Sequence, residues 1–464
     1  MLRKFRVPRV VLILALSIVS GRVRSVRAEE YTLTSGRAAG EISQVEILLE
    51  VGGELLVKDE KDKKAHQLKT SVVGTMVYDE RLAAAATASS SRGVRQYRRC
   101  DAVIKIDKGT AKARLRDDRR LLAVAADERT ATMFCPVAPL SQEELDLIEI
   151  PASSLLVERL LPDRAVAPGD QWQHSEDLLV ALLNLDAISQ SDVTTTFKQA
   201  TADAAQLELA GTVHGAVEGA STEIELKGRY KFDLQSKRIT WLALLVKEKR
   251  SIGSVGPGID VTARLQMKIA PGAVSPALSD QALAEVNLEP TPEQALLEYT
   301  SQNGHFQFLH DRAWHVVNDT PDAVTLRLIE RGELIAQCNA SAVAPVEAGK
   351  RFTLAHFQED VQKSLDKHFE SFLSAGESEN SVGHTTCRVI AGGKVESLPI
   401  QWNYYLVADS EGHQTVLAFT LESELVERFG DADKSILSTL RFVKPTAEPT
   451  AETAAQPTPA PTRK

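Results

Sequence analysis

At 464 residues, 43% hydrophobic and 25% charged, the chain is long enough for about two to three domains with their own cores, and its composition excludes a wholly disordered or membrane-embedded protein. Its formal net charge is −9, and loss of residues 1–28, which hold seven Lys/Arg and no Asp/Glu, takes this to −16. So acidic a chain speaks against nucleic acid or an anionic membrane surface as its partner.

The N-terminus has the layout of a signal peptide. Arg3, Lys4, Arg6 and Arg9 precede the apolar run Val10–Val19, and Val26-Arg27-Ala28 offers cleavage after Ala28. The run is too short for a stable bilayer crossing, so no membrane span is expected after cleavage. Arg22, Arg24 and Arg27 keep a retained anchor open as the alternative. An exported protein, periplasmic or extracellular, follows. In such a compartment four cysteines are expected to form structural disulfides within each half of the chain, Cys100 with Cys135 and Cys338 with Cys387.

Residues 31–59 alternate in polarity, with Val45, Ile47 and Leu49 on one side and Glu46, Leu48 and Glu50 on the other. Gly52-Gly53 predicts a break and Glu54–Lys58 a return strand. The mixed-sign run 58–64 reads as a solvated turn, and the small-residue stretch 83–92 as a loop. Strands are expected at 66–82, 94–107, 110–115, 121–126 and 130–134. Ser141 caps a helix with Glu143 and Glu144 in its first turn, and Pro151 divides it. Strands resume at 194–198, 205–214, 222–234, 238–252 and 258–269. Residues 29–270 therefore predict a β-rich antiparallel domain, one large sheet or open barrel with a central helix. The turn at 253–258 has neither GxGxxG nor a following Lys-Ser/Thr, so it predicts a hairpin and no phosphate cradle.

Residues 271–292, with four prolines, read as a linker. A short helix at 292–299, strands at 305–309 and 314–318, and a hairpin over 323–341 follow. Leu354, Phe357, Val361, Leu365, Phe369 and Phe372 form one stripe, which predicts a helix over 353–375. Further strands at 383–390 and 393–398 lead to a hairpin over 398–420, turning at Asp409-Ser410-Glu411-Gly412. Both faces of its arms are apolar, as in a central strand pair. A short helix at 431–440 and a Pro/Thr/Ala tail at 443–464, expected to be disordered, close the chain.

The order of elements in 293–442 resembles the PsbP/Mog1-like α/β/α sandwich. The residues that carry it are His305–Trp314, the helix from Thr353, Trp402–Val407 with Thr415–Thr420, and the ending from Phe429 through Asp431, Asp433, Ile436 and Leu440 to Phe442. The resemblance covers about a third of the chain and implies an accessory or binding role with no reaction. The first domain is loosely similar to exported β-rich proteins of unknown function, open barrels among them. The expected fold class is thus α+β, a β-rich domain plus an α/β/α sandwich.

No pattern points to catalysis. His305, His310 and His315 recur every five residues, a spacing that enforces no metal geometry, so no metal or other cofactor is expected. Ser364 and Lys367 match Ser-x-x-Lys but lie mid-helix without the partner motifs. His356 and Asp360 would meet on the helix surface with no nucleophile beside them. Asp431 and Asp433 open like a calcium loop that fails at its later positions. The residues left as a partner or ligand surface are Trp402, Tyr404 and Tyr405. The reading is a non-enzymatic binding or accessory protein of the cell envelope, with an unknown protein or small apolar ligand as partner. One alternative is a lipid or apolar-ligand carrier, its cavity lined by Val45, Ile47, Leu207 and Leu245. A hydrolase is the disfavoured third.

Overall fold

The computed structural model describes residues 29–58, 65–83, 90–303, 305–321, 323–345, 353–379 and 383–443. The expected signal peptide, most of the 58–64 turn and of the 83–92 loop, and the tail beyond Val443 lie outside the described residues.

Three long strands come first, β1 (Ile42–Lys58), β2 (Ala65–Leu82) and β3 (Ser91–Ile106), then β4 (Gly109–Arg114), β5 (Leu121–Ala126), β6 (Ala131–Phe134) and β7 (Leu140–Ser141). Helix α1 (Gln142–Ile148), β8 (Gln171–Gln173), α2 (Glu176–Leu183), β9 (Ala187–Ser191) and β10 (Thr194–Ala200) follow. Four more long strands close this half, β11 (Ala204–Val217), β12 (Ala220–Asp233), β13 (Arg238–Arg250) and β14 (Gly258–Pro271). All of these strands except β7 form one antiparallel sheet, in the order β6-β5-β3-β2-β1-β14-β13-β12-β11-β10-β8, with β4 on β3 and β9 on β11. Among the described residues no ladder joins β6 to β8, so the sheet is open.

Period-two polarity makes these strands. Along β12, Ile224, Leu226, Tyr230 and Phe232 are buried while Glu223, Lys227, Arg229 and Lys231 face water. The buried face packs on the chain's own helical segments, through Leu145 and Ile148 of α1, Leu160 of a 3-10 turn, and Leu179 and Leu182 of α2. Each such leucine contributes about 1.5–3 kcal/mol on burial. Ser141 caps α1 as expected, and Glu144 returns the contact to the Ser141 backbone, which completes a capping box. α2, capped by Ser175, has no counterpart among the expected elements; six of its eight residues are buried, which hides the amphipathic period.

In the second half a 3-10 turn (Pro276–Leu278) and α3 (Asp280–Leu283) seat Leu278 against Ile42 and Val94. They are followed by β15 (Leu297–Thr300), β16 (Phe306–His310), β17 (Trp314–Asp319), β18 (Ala323–Glu330), β19 (Glu333–Val343) and α4 (Leu354–Leu365). The chain ends through β20 (Phe369–Glu379), β21 (Thr385–Val395), β22 (Leu398–Ala408), β23 (Gln414–Glu422), α5 (Val426–Phe429), α6 (Ala432–Thr439) and β24 (Arg441–Phe442). A seven-stranded antiparallel sheet runs β17-β18-β19-β23-β22-β21-β20, with the 398–420 hairpin inside it. α4 covers one face. The other is covered by α6 together with a small sheet ordered β24-β16-β15-β7. β7 belongs to the first half of the chain, and its Leu140 and Ser141 pair in parallel with Leu297 and Glu298. Arg116 reinforces the join, bonding Glu144 at 2.7 Å and Glu298 at 2.9 Å.

Several expectations are corrected. The fold is mostly β, with 56% of the described residues in strands and 15% in helices, so α+β with a central helix does not describe it. α1 and α2 have seven and eight residues, and one layer of the expected α/β/α sandwich is in part a sheet. Residues 297–300 are strand, not the end of a helix. β1 runs unbroken through Gly52-Gly53, because β14 passes so close that a Cβ at Gly53 would run into the Asp260 carbonyl. The helix expected over 353–375 stops at Leu365, where Asp366 takes φ 47°. Phe369 and Phe372 belong to β20, whose ladder with β21 shifts register after each of them. Such bulges let two residues three apart pack together, with ring centroids 4.7 Å apart, and so imitate a helical period.

Candidate functional site

The aromatic residues expected to form a partner surface are largely spent on the core. Trp402 is buried against Phe357, Val361 and Leu365 of α4. Tyr405 is buried on the opposite face, its hydroxyl donating to Asp433 Oδ2 at 2.6 Å, and Asn403 donates to the same oxygen at 2.8 Å. Tyr404 is half-buried, 3.4 Å from the Ser364 hydroxyl. These three do not form an exposed patch. Asp433, part of the apparent calcium loop, is thus a buried acceptor beside Tyr405.

The four cysteines are unpaired, which corrects the disulfide expectation. Cys338 and Cys387 lie in the cores on opposite faces of the seven-stranded sheet, with β23 and β22 between their strands. Cys100 is opposite Met76 in β3, while Cys135 follows β6, two strands away in the sheet order. Burial pushes the Cys100 thiol up to about 12 and the Cys387 thiol up to about 11, so both resist ionisation. The native protein should therefore leave a thiol reagent such as Ellman's nearly uncoloured at neutral pH. Denaturation without reductant should release four thiols; two or none would restore the disulfides. Among the described residues no group of three or more His, Cys, Asp or Glu could hold a metal ion. His310 is buried, with Nδ1 2.9 Å from the Asp311 carbonyl, and His315 pairs with Glu218 at 3.1 Å. His356 lies 3.8 Å from Asp360, an exposed helix pair.

What the sequence did not announce is a cleft of about 620 Å³ on the first half. Leu33–Arg37, the end of β2, the β5–β6 turn, the 155–163 segment and the start of α2 enclose it. Leu33, Leu82, Leu155 and Leu178 give it apolar walls that belong to the core, and Leu161 is half-buried at its side. Glu128, Asp163 and Asp177 form an acidic rim. Three polar atoms in the lining residues, Arg37 Nε, Glu158 Oε2 and Arg159 Nε, are buried with no hydrogen-bond partner among the described residues. Such orphans are uncommon in native interiors, and each costs about 1–3 kcal/mol. Burial holds the Glu158 carboxyl above its usual range, although the Ile239 amide donates to it at 3.0 Å.

Arg37 connects this cleft to a closed polar cluster. Glu80 is fully buried and accepts from Arg37 at 3.0 Å, Arg95 at 2.9 Å and Ser154 at 2.6 Å. Arg95 also donates to Ser153 and Ser154 and lies 4.8 Å from the centre of the Tyr78 ring, whose hydroxyl is 2.9 Å from Ser154. Ser154 beside a carboxylate has the look of a nucleophile, but it has no exposed surface on which to meet a substrate. The cluster anchors the cleft wall. No lone residue in the sequence signals it, since Arg37, Glu80, Arg95 and Ser154 come from four separate segments.

No family model matches the chain, and no curated protein matches it. Among solved structures, the Ran-binding protein Mog1p of Saccharomyces cerevisiae is 9% identical, covering 32% of this chain and 94% of its own, with a TM-score of 0.26. The cyanobacterial PsbP (CyanoP) of Synechocystis is 12% identical, covering 32% and 92%, also at 0.26. OmpF of Salmonella typhi covers 85% and 99% at 7% identity, with a TM-score of 0.13. Scores this low carry nothing about function.

Proposed function

We propose that this is an exported, non-enzymatic binding protein whose ligand is a small amphipathic molecule seated in the leucine-walled cleft of the first half. The observation that carries this reading is the cleft itself: apolar walls, an acidic rim and orphaned polar atoms in one place. Glu80 is shared by Arg37 and Arg95, which leaves one positive charge uncompensated, and Asp177 pairs with Arg129; Glu128, Glu158 and Asp163 still outnumber that charge and Arg159 three to two, which favours a neutral or cationic head group. A carrier that encloses a lipid within the sheet has less in its favour. Val45, Ile47 and Leu207 pack in the core with α1 and α2, and Leu245 is only half-buried.

Trp172 supplies an optical reporter, because its indole donates to the Leu160 carbonyl at 3.0 Å beside the cleft-lining Leu161. Titration with dodecyltrimethylammonium or dodecyl maltoside below their micelle concentrations should change Trp172 fluorescence saturably. Leu161→Arg, which fills the cleft, should weaken binding by about ten-fold or more, the effect of roughly 1.4 kcal/mol. Equal binding by the variant, or none by the native protein, would reject the reading. Export is checked separately, by a mature mass beginning at Glu29.

A further inference from the structure

A second cleft, of about 970 Å³, lies where the end of β1 and the β13–β14 turn meet β17, β18 and β19 of the other sheet. Its charge runs against that of the molecule. In a chain of net charge −9, the described residues lining it include Lys58 and Arg327 and no carboxylate. The first cleft, by contrast, has four.

Arg327 is held in place by neutral acceptors. Its Nε donates to Gln337 Oε1 at 3.0 Å, and one terminal nitrogen donates to the Ser254 carbonyl across the cleft. Its Nη2 has no acceptor among the described residues, and none of their carboxylates comes within 4.0 Å of Arg327 or Lys58. The guanidinium therefore keeps its whole charge and one free edge, a pre-organised donor for an oxyanion. The turn adds backbone donors. Gly253 N–H is used within the turn, on the Gly256 carbonyl, while the amides of Ser254, Val255 and Gly256 have no acceptor among the described residues. Successive free amides beside two cations favour an anion. Leu56, Val57, Ile252 and Val317 supply an apolar wall, of which Val57 and Ile252 are 37% and 40% exposed.

We propose that this inter-sheet cleft binds a small organic anion, its carboxylate or phosphate held by Arg327, Lys58 and the Ser254–Gly256 amides, and its apolar part laid against Leu56, Val57, Ile252 and Val317. Calorimetric titration of the whole protein with decanoate, phenyl phosphate and inorganic phosphate tests this. Decanoate or phenyl phosphate should bind, more weakly as salt rises, and decyl phosphate, which shares a linear alkyl tail with decanoate, then identifies the preferred head group as phosphate or carboxylate. Arg327→Gln should weaken binding by about ten-fold or more, as expected for loss of a charge-assisted contact, and Arg327→Lys should restore part of it. Lys58→Gln, at an exposed position that folding tolerates, should weaken it several-fold, which keeps the test valid if Arg327→Gln proves unstable. Leu161→Arg in the other cleft should leave anion binding unchanged, so the two sites fail independently. The proposal is overturned if neither organic anion binds, if inorganic phosphate binds as tightly as phenyl phosphate, or if Lys58→Gln and Arg327→Gln both bind like the native protein.

Discussion

Replacing Glu80 by alanine should lower stability by about 3–5 kcal/mol, the usual consequence of stripping one partner from a buried ion pair. Glu80 is fully buried, and the side chains of Arg95 and Arg37 around it are only 3% and 4% exposed. Without the carboxylate, two guanidiniums remain in the core, with Ser153, Ser154 and the Tyr78 ring as poor substitutes. Glu80→Gln keeps the shape but not the charge, and should cost nearly as much. The pH dependence has a definite sign. Burial alone would raise the Glu80 pKa, but Arg95 and Arg37 overcome it and hold the carboxyl below its ordinary 4.5. Its contribution is therefore present in full above that value and is lost as pH falls through the lower native one. Urea melts of the native and Gln forms, run from neutral to acid pH, should converge at the acid end. A loss under about 1 kcal/mol at neutral pH would mean that the cluster is not a charged network.

Trp314→Ala should cost about 3–5 kcal/mol as well, by leaving a cavity. Trp314 is 1% exposed and meets Phe419 and Phe429 edge-on, with centroids 5.9 and 6.5 Å away. It ties β17, an edge strand of the seven-stranded sheet, to β23 and α5. The urea midpoint and the near-ultraviolet dichroism should both fall, while binding at the leucine-walled cleft, built wholly from the first half, should persist. A fully retained midpoint would show that the core closes over the gap. Loss of cleft binding would show that the two halves unfold as one.

Much of the β-structure is legible in the residues. Leu121–Ala126 is expected as a strand and is one with those bounds, and the long strands from β10 to β14 fall where their alternation places them. The candidate site is far less legible. Trp402 and Tyr405 look like surface aromatics only until α4 covers the first and Asp433 and α6 meet the second. The two clefts are assembled from segments over a hundred residues apart, each of which is unremarkable alone.

The residues alone show the alternation that turns Val45 and Ile47 of β1 to the core, where Ser141 starts a helix, and that strands dominate the first half. Those are local properties, written as a period of two or a cap within a few residues. Long-range contacts place β1 beside β14, with Ser43 opposite Pro271, and make β20 a bulged strand. The same long-range contacts keep the cysteines apart and give Arg327 a cleft with no carboxylate among its described lining residues. A pattern along the chain fixes a residue's side of a sheet. Its neighbours across the sheet, and the segment that covers it, depend on contacts between distant residues that no local period records.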